Sequence, residues 1–214
     1  RADRLTRLAV LASGRGSNLR AILDAQDRGI LPTTVVGVFS DKPACGAIAI
    51  ARENGLAAVA ANPRDYASRE VFDEFLFSEI AAVQPDLIVC AGYMRLISDA
   101  AVRRFQGRMI NIHPSLLPKY PGLDTHARAL AAGDTEHGAS VHGVIPALDA
   151  GPVIAQVRVP VLPGDDVATL SQRVLAREHA LLVSSIAAIA AGRIRLTADT
   201  VLLGDRPLPT PLQL

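Results

Sequence analysis

An amide, an imidazole and a carboxylate stand in two separated stretches of this chain, and together they are suited to chemistry at a carbonyl carbon. Asn111 and His113 lie in the segment Asn-Ile-His-Pro-Ser-Leu-Leu-Pro, and Asp149 lies in Leu-Asp-Ala-Gly-Pro. An amide can hydrogen-bond a developing oxyanion, an imidazole changes charge near neutral pH, and a carboxylate orients the imidazole or relays protons. These three residues are therefore candidates for an active site that performs acyl transfer.

The spacing of Asn111 and His113 supports this interpretation. Both follow a short apolar run, and residues two apart on a strand point to the same side. A lone histidine is more often structural, and Asp149 alone would be a turn residue, so each gains its functional interpretation from the others. His142 lies on a predicted strand as a core or supporting histidine without a chemical step of its own. The remaining histidines are interpreted as peripheral or structural: His126, His137 and His179.

A glycine-rich turn near the amino end is a candidate phosphate site. Gly16, Ser17 and Asn18 follow an apolar run and precede a predicted helix, whose free N–H groups and dipole favour an anion. A dinucleotide-binding motif would require a third glycine where Leu19 stands. The alternative is a plain glycine turn in which Ser17 or Asn18 caps the helix.

Short apolar runs alternate with helix-compatible stretches, which predicts an α/β fold with a mostly parallel sheet and helices on both faces. Ligands of such sheets bind beyond the carboxyl ends of the strands, so we expect the glycine turn and the Asn111 segment at one edge. The predicted strands are 8–12, 35–39, 87–90, 109–112, 140–144 and 153–159, and the predicted helices are 18–25, 45–54, 67–83, 99–105, 127–132 and 167–191.

The length of 214 residues predicts a single domain, 1–214. The pattern changes after residue 110 without a polar linker, so we expect two lobes, about 1–110 and 111–214. The segment Leu203 to Leu214, with three prolines, is predicted to be irregular and poorly constrained.

Composition excludes several functional classes. A net charge of +1 gives no general attraction for nucleic acid or an anionic membrane. Cys45 and Cys90 form no CxxC pair, and no HxH or HExxH spacing is present, so neither disulfides nor a metal is expected. The apolar stretch Ala180 to Ala191 is too short to span a bilayer, and the charged amino end, Arg1 to Arg7, has no signal-peptide pattern. These features favour the cytoplasm.

Several segments resemble one enzyme family closely, the phosphoribosylglycinamide formyltransferases, which are folate-dependent enzymes of purine biosynthesis. The Asn-x-His-Pro-Ser-Leu-Leu-Pro segment is also shared with methionyl-tRNA formyltransferases and formyltetrahydrofolate hydrolases, so it indicates the chemistry only. The Ser-Gly-x-Gly-Ser-Asn turn indicates the phosphate-bearing substrate. The similar segments lie between about Leu8 and Gly192 and comprise residues 12–19, 91–95, 110–121, 136–142 and 148–153.

This resemblance implies a Rossmann-like formyltransferase fold and transfer of a formyl group from 10-formyltetrahydrofolate, the co-substrate, to the amine of glycinamide ribonucleotide. It implies catalytic roles for Asn111, His113 and Asp149, phosphate binding by Gly16, Ser17 and Asn18, and a ribose contact for Glu178. It assigns the folate pocket to Met94, Arg95, Leu96, Val144, Ile145, Pro146, Ala147 and Leu148. It further implies a cytoplasmic enzyme that binds small molecules only, needs no metal, and is a monomer or homodimer.

Three other functions stay open. A tRNA-directed formyltransferase is disfavoured because we expect no room for an RNA-binding domain after the long carboxyl-terminal helix, and because the net charge is near zero. A formyltetrahydrofolate hydrolase would leave the phosphate turn without a purpose. A noncatalytic nucleotide-binding module would bind ligands without turnover.

Overall fold

The computed structural model describes residues 4–214, so the first three residues of the predicted charged amino end, 1–7, lie outside the described residues. The chain divides into two compact units, with the boundary between Ile110 and Asn111. The single domain expected from the sequence stays a prediction.

The first unit is built from parallel strands. Strand β1 pairs in parallel with both β2 and β4, and β2 pairs in parallel with β3. Its strands are β1 (Thr6–Leu11), β2 (Thr33–Ser40), β3 (Ala58–Ala60) and β4 (Leu87–Cys90), and its helices are α1 (Ser17–Asp27), α2 (Gly46–Glu53), α3 (Arg69–Ala82) and α4 (Asp99–Arg104). Strand β5 (Met109–His113) begins in this unit and ends in the next.

Burial and capping explain these elements. Residues 8–11 of β1 are fully buried, as expected for a parallel strand covered by helices on both faces. The Ser68 hydroxyl accepts a hydrogen bond from the Val71 N–H, which caps the start of α3. Phe72 and Phe77 of α3 are buried against the sheet core. The apolar residues that recur along the strands and helices therefore pack together in a core between the helices and the sheet.

The second unit is organised around a hairpin. Strands β6 and β7 pair antiparallel, and β7 pairs in parallel with β11. A separate three-stranded antiparallel sheet has the order β10-β9-β8. The strands are β6 (Glu136–Gly143), β7 (Val153–Pro160), β8 (Ile194–Leu196), β9 (Val201–Leu203), β10 (Arg206–Pro207) and β11 (Leu212–Gln213), and the helices are α5 (Thr125–Ala131) and α6 (Val167–Ala190).

The structure confirms the α/β class with a mostly parallel central sheet flanked by helices. The prediction for Leu203 to Leu214 was wrong, because β10 and β11 lie within this segment. Pro207 is tolerated in β10 because that strand lies at the edge of its sheet. The Leu214 N–H donates to the Gln156 carbonyl at 3.0 Å, and the Gln213 amide donates to the Gln156 side chain at 3.4 Å. The short strands β3, β8 and β9 were not predicted from the sequence.

Candidate active site

His113 and Asp149 face each other in the second unit. His113 is the last residue of β5, and Asp149 lies in the loop between β6 and β7. The His113 Nδ1 is 3.5 Å from the Asp149 Oδ2, and both side chains are only 7% exposed. A protonated imidazole at this distance forms an ion pair with the carboxylate. The sequence-predicted pair is therefore brought together.

Backbone groups fix both members of this pair. The Gly122 N–H donates to the Asp149 Oδ2 at 2.8 Å. The His113 Nε2 lies 2.8 Å from the Tyr120 carbonyl oxygen. Since a carbonyl oxygen only accepts, the hydrogen at this end of the imidazole is on Nε2. The loop that follows β5 therefore fixes both His113 and Asp149 through its backbone groups.

Asn111 contacts a residue to which the sequence assigned no chemical step. Its Nδ2 is 3.2 Å from the Nε2 of His142, which is 2% exposed. The His142 Nε2 also lies 3.6 Å from the Asp149 Oδ1, while its Nδ1 is 2.8 Å from the Gly143 carbonyl oxygen. His142 therefore joins the three predicted residues in one cluster, which we call the Asp149 cluster: Asn111, His113, His142 and Asp149.

Local backbone features aim these side chains. The pairing of β6 with β7 is irregular between Val141 and His142, and a bulge of this kind re-aims a side chain. Asp149 has a φ of +49°, a conformation for which aspartate is one of the more tolerant residues. A Cβ on Gly151 would lie 1.7 Å from the Gly143 carbonyl oxygen, so only glycine fits there. The Asp-Ala-Gly-Pro sequence therefore forms a tight turn that requires glycine at position 151.

The cluster keeps Asp149 ionised. Burial raises the pKa of Asp149, but the neighbouring His142, the Gly122 N–H and the charge of His113 together outweigh burial and leave that pKa below its ordinary value. The arrangement therefore presents an amide donor, an imidazole and a fixed negative charge within one small polar region. These are groups that can polarise a carbonyl and stabilise the oxyanion that forms from it.

The glycine turn lies in the first unit at the start of α1. Gly16 has a φ of +84°, and a Cβ there would lie 2.8 Å from the Ala47 Cα, so a side chain is excluded on two grounds. Gly16 is also the N-cap, and no side-chain hydrogen bond caps the helix. Ser17 and Asn18 thus do not perform the capping role that the sequence left open. The first N–H groups of α1 stay available to an anion.

Two segments predicted to line a folate pocket lie in different units. Met94 and Leu96 follow β4 and are 68% and 51% exposed, while Arg95 stacks over the Phe72 ring at 5.2 Å. The second segment, residues 144–148, follows β6 and leads directly into Asp149, with Leu148 exposed. The structure gives each segment an accessible side chain.

A buried serine fixes the first of these segments. The Ser13 hydroxyl donates to the Asp41 carboxylate at 2.6 Å and accepts from the Met94 N–H at 2.9 Å. Because a carboxylate only accepts, Asp41 orients the hydroxyl so that its lone pair faces Met94. Sequence reasoning missed Ser13 and Asp41, although each lies just after a predicted strand.

A cavity of about 380 Å³ lies beside this segment. It carries three cationic side chains, Lys42, Arg64 and Arg95, against the single carboxylate of Asp41. Its net positive charge favours an anionic ligand group.

Glu178 lies on α6 in the second unit and is partly buried. Burial raises the pKa of this carboxyl.

His126 and His137 contact each other, with 3.0 Å between His126 Nδ1 and His137 Nε2, and His137 is fully buried. Burial, followed by the neighbouring His126, lowers the pKa of His137 to about 4. This pair is therefore uncharged at neutral pH.

Within residues 4–214, no helix is long and apolar enough to cross a membrane. The same described residues contain no group of three or more His, Cys, Asp or Glu side chains placed to hold a metal ion.

Comparison with known proteins supports the chemistry that this geometry indicates. A family model described as formyl transferase matches residues 6–186. The phosphoribosylglycinamide formyltransferase of Escherichia coli K12 is 45% identical over 202 residues, which cover 94% of this chain and 95% of that protein. That of Mycobacterium tuberculosis CDC 1551 is 43% identical and covers 94% of this chain and 92% of that protein.

A solved structure is similarly close. The phosphoribosylglycinamide formyltransferase from Coxiella burnetii matches with a TM-score of 0.93 at 41% identity, covering 99% of this chain and 100% of that one. The similarity therefore extends over nearly the full length of these relatives.

Proposed function

This chain belongs to the formyl transferase family, and we propose that it transfers the formyl group of 10-formyltetrahydrofolate to the amine of glycinamide ribonucleotide. The products are formylglycinamide ribonucleotide and tetrahydrofolate, in purine biosynthesis. The family resemblance inferred from the motifs is confirmed. One observation carries the assignment of chemistry to residues: the 3.5 Å approach of His113 to Asp149, in the same cluster as the Asn111 amide.

The reaction begins with attack by the neutral amine of glycinamide ribonucleotide on the formyl carbon. A carbon–nitrogen bond forms, and the formyl oxygen becomes an oxyanion that receives hydrogen bonds from Asn111 and His113. The bond from the formyl carbon to the folate N10 then breaks. One proton lost by the amine passes to N10, and a bound water molecule can carry it. Asp149 holds His113 in orientation through the contact between Oδ2 and Nδ1.

His113 must exchange a partner during this reaction. Its Nε2–H binds the Tyr120 carbonyl oxygen, while its Nδ1 faces Asp149. Donation from Nε2 to the formyl oxygen therefore replaces the hydrogen bond to Tyr120. We propose that the loop after β5 shifts when both substrates bind.

The phosphate of glycinamide ribonucleotide is assigned to Gly16, Ser17 and Asn18. The uncapped start of α1 supports this, because its N–H groups and dipole favour a dianion. Glu178 is assigned to the ribose, where a carboxyl can hydrogen-bond two hydroxyl groups.

The folate is assigned to two segments, Met94–Leu96 and Val144–Leu148, with the pteridine pairing largely with backbone groups. Folates also carry glutamate carboxylates. The cationic side chains of Lys42, Arg64 and Arg95 offer these carboxylates an attractive potential.

We propose a cytoplasmic enzyme that acts on these two small molecules as a monomer or homodimer. It uses neither a metal ion nor a nucleic-acid or membrane partner in the reaction.

A direct test mixes the protein with 10-formyltetrahydrofolate, with and without glycinamide ribonucleotide, and measures tetrahydrofolate release. Release only when glycinamide ribonucleotide is present is the expected result. Release without it would assign the protein as a hydrolase. Binding of both compounds without release would instead assign a noncatalytic module.

A further inference from the structure

The protonation pattern of His142 follows from its own neighbour. Its Nδ1 lies 2.8 Å from the Gly143 carbonyl oxygen, which only accepts hydrogen bonds. The Nδ1 therefore carries a hydrogen. In a neutral imidazole the other nitrogen, Nε2, is then an acceptor.

This acceptor faces the side-chain amide of Asn111. The two nitrogen atoms are 3.2 Å apart, so the Asn111 Nδ2 donates one of its two hydrogens to His142. If the amide were turned over, its oxygen would face a lone pair, and two acceptors would repel each other. The pairing therefore selects one of the two amide orientations, and the second N–H of Asn111 stays available to a ligand.

We propose that His142 is a positioning residue that sets the amide orientation of Asn111, so that the site presents an N–H group to the formyl oxygen. This inference rests on the proposed function, because it concerns Asn111 as the oxyanion donor. A turned amide would present its carbonyl oxygen to a developing negative charge and would oppose the reaction.

The backbone around His142 is built to hold this orientation. The bulge between Val141 and His142 re-aims the imidazole, and the close approach of Gly151 fixes the Gly143 carbonyl that receives the Nδ1–H. The His142 imidazole is 2% exposed, so water competes little with these contacts.

A second route from His142 to the chemistry would pass through Asp149. The Nε2 is 3.6 Å from the Asp149 Oδ1, which is longer than a hydrogen bond, whereas the contact to Asn111 is within hydrogen-bond range. The geometry therefore favours Asn111 as the residue through which His142 acts.

A double-mutant cycle tests this inference on the full chain. We expect His142→Leu to lower kcat about tenfold, the usual effect of losing one hydrogen bond at a reacting group, with KM values changed less than about threefold. In an Asn111→Ala background, the same substitution is expected to change kcat less than about threefold, because the residue it positions is absent. His142→Gln, whose carbonyl can replace Nε2 as acceptor, is expected to restore part of the loss.

The control is His137→Leu, because His137 is equally buried on the same strand and its side-chain hydrogen-bond partner is His126 rather than Asn111. Its effect on kcat should be the same in both backgrounds. In a matching cycle with Asp149→Asn, the fold-changes in kcat caused by Asp149→Asn and by His142→Leu should multiply in the double variant. Multiplying effects of His142→Leu and Asn111→Ala would show that the inference is wrong, and effects that fail to multiply with Asp149→Asn would assign the action of His142 to Asp149 instead.

Nitrogen-15 NMR of histidine-labelled protein gives a readout that does not depend on activity. We expect the neutral His142 imidazole to carry its hydrogen on Nδ1 and to leave Nε2 without one, and the opposite tautomer would overturn the inference. The wild-type transfer assay separates the proposed function from the role of His142. Failure of wild-type transfer would remove the proposed function, whereas a failed cycle with active wild type would remove only the role of His142.

Discussion

The glycine turn at residues 16–18 and the Asp149 cluster are both suited to negative charge, yet they are built from different parts of the chain. The turn relies on backbone: Gly16 adopts a left-handed conformation, and the start of α1 has no side-chain cap. The cluster relies on side chains: His113, His142 and Asp149 are held by backbone atoms of other residues, and Asn111 is held by the His142 side chain. Backbone N–H groups at a helix start can bind an anion that is always present, such as a phosphate. An oxyanion that exists only during the reaction requires side-chain donors that are already oriented before it forms.

The largest expected effect concerns the cluster. Asn111→Ala should lower kcat roughly a hundredfold to a thousandfold, since an oxyanion donor contributes about 2.7 to 4 kcal/mol to the transition state. Asp149→Ala should also lower kcat strongly, because His113 loses its partner. Steady-state kinetics with both substrates should show much smaller changes in KM. Turnover near the wild-type rate in either variant would remove that residue from the mechanism.

A second prediction uses the buried histidine pair of the second unit. His137 has a pKa near 4 in the folded protein and near 6.5 in the unfolded chain, so the unfolded chain binds more protons between these values. Stability from this group is complete above pH 6.5 and decreases as the pH falls toward 4, by up to roughly 3 kcal/mol. Urea unfolding at several pH values should show that the free energy of unfolding of His137→Phe changes less between pH 6.5 and 4 than that of the wild type. The same pH dependence in both proteins would contradict the burial of a neutral His137 imidazole.

The third prediction concerns the backbone of the turn. Gly16→Ala places a Cβ against Ala47 and strains the positive φ, so it should raise the KM for glycinamide ribonucleotide about tenfold or more, with a smaller effect on kcat. Gly29→Ala is the matched control, since Gly29 also has a positive φ but open space around its Cα. That variant should lose about 1 kcal/mol of stability without a change in KM. An unchanged KM in Gly16→Ala would separate the turn from substrate binding.

The smallest effect compares two helix starts. Asp166 and Thr169 form a reciprocal capping box at α6, so Asp166→Ala should cost about 1 kcal/mol of stability and leave the kinetics unchanged. Ser17 does not cap α1, so Ser17→Ala should hardly change stability but should raise the KM for glycinamide ribonucleotide. Thermal unfolding and steady-state kinetics of both variants provide the measurement. The reverse pattern would mean that α1 has an ordinary cap.

These differences also explain what the sequence could reveal. The turn was predictable because its requirements are local: a glycine, a strand before it and a helix after it. Asn111 and His113 were predictable from strand alternation, and Asp149 gained its assignment through His113. The role of His142 was missed because it depends on a bulge, on the Gly143 carbonyl and on which ring nitrogen carries hydrogen. None of these follows from spacing along the chain.

The contributions of Tyr120 and Gly122 were missed for a related reason. Both act through backbone atoms, so their residue types carry no signal. The strand at 212–213 was missed because prolines dominate the segment, whereas its ladder depends on β7, more than fifty residues earlier. Elements with local periodicity were therefore predictable, and long-range pairings were not.

The pairing of β11 with β7 has a consequence for synthesis on the ribosome. Until residues 212–214 have emerged, the outer edge of β7 and the Gln156 carbonyl have no strand beside them. A nascent or shortened chain would expose a bare edge of the kind that recruits other strands and leads to aggregation. Residues 212–213 therefore protect the outer edge of β7 from pairing with other chains.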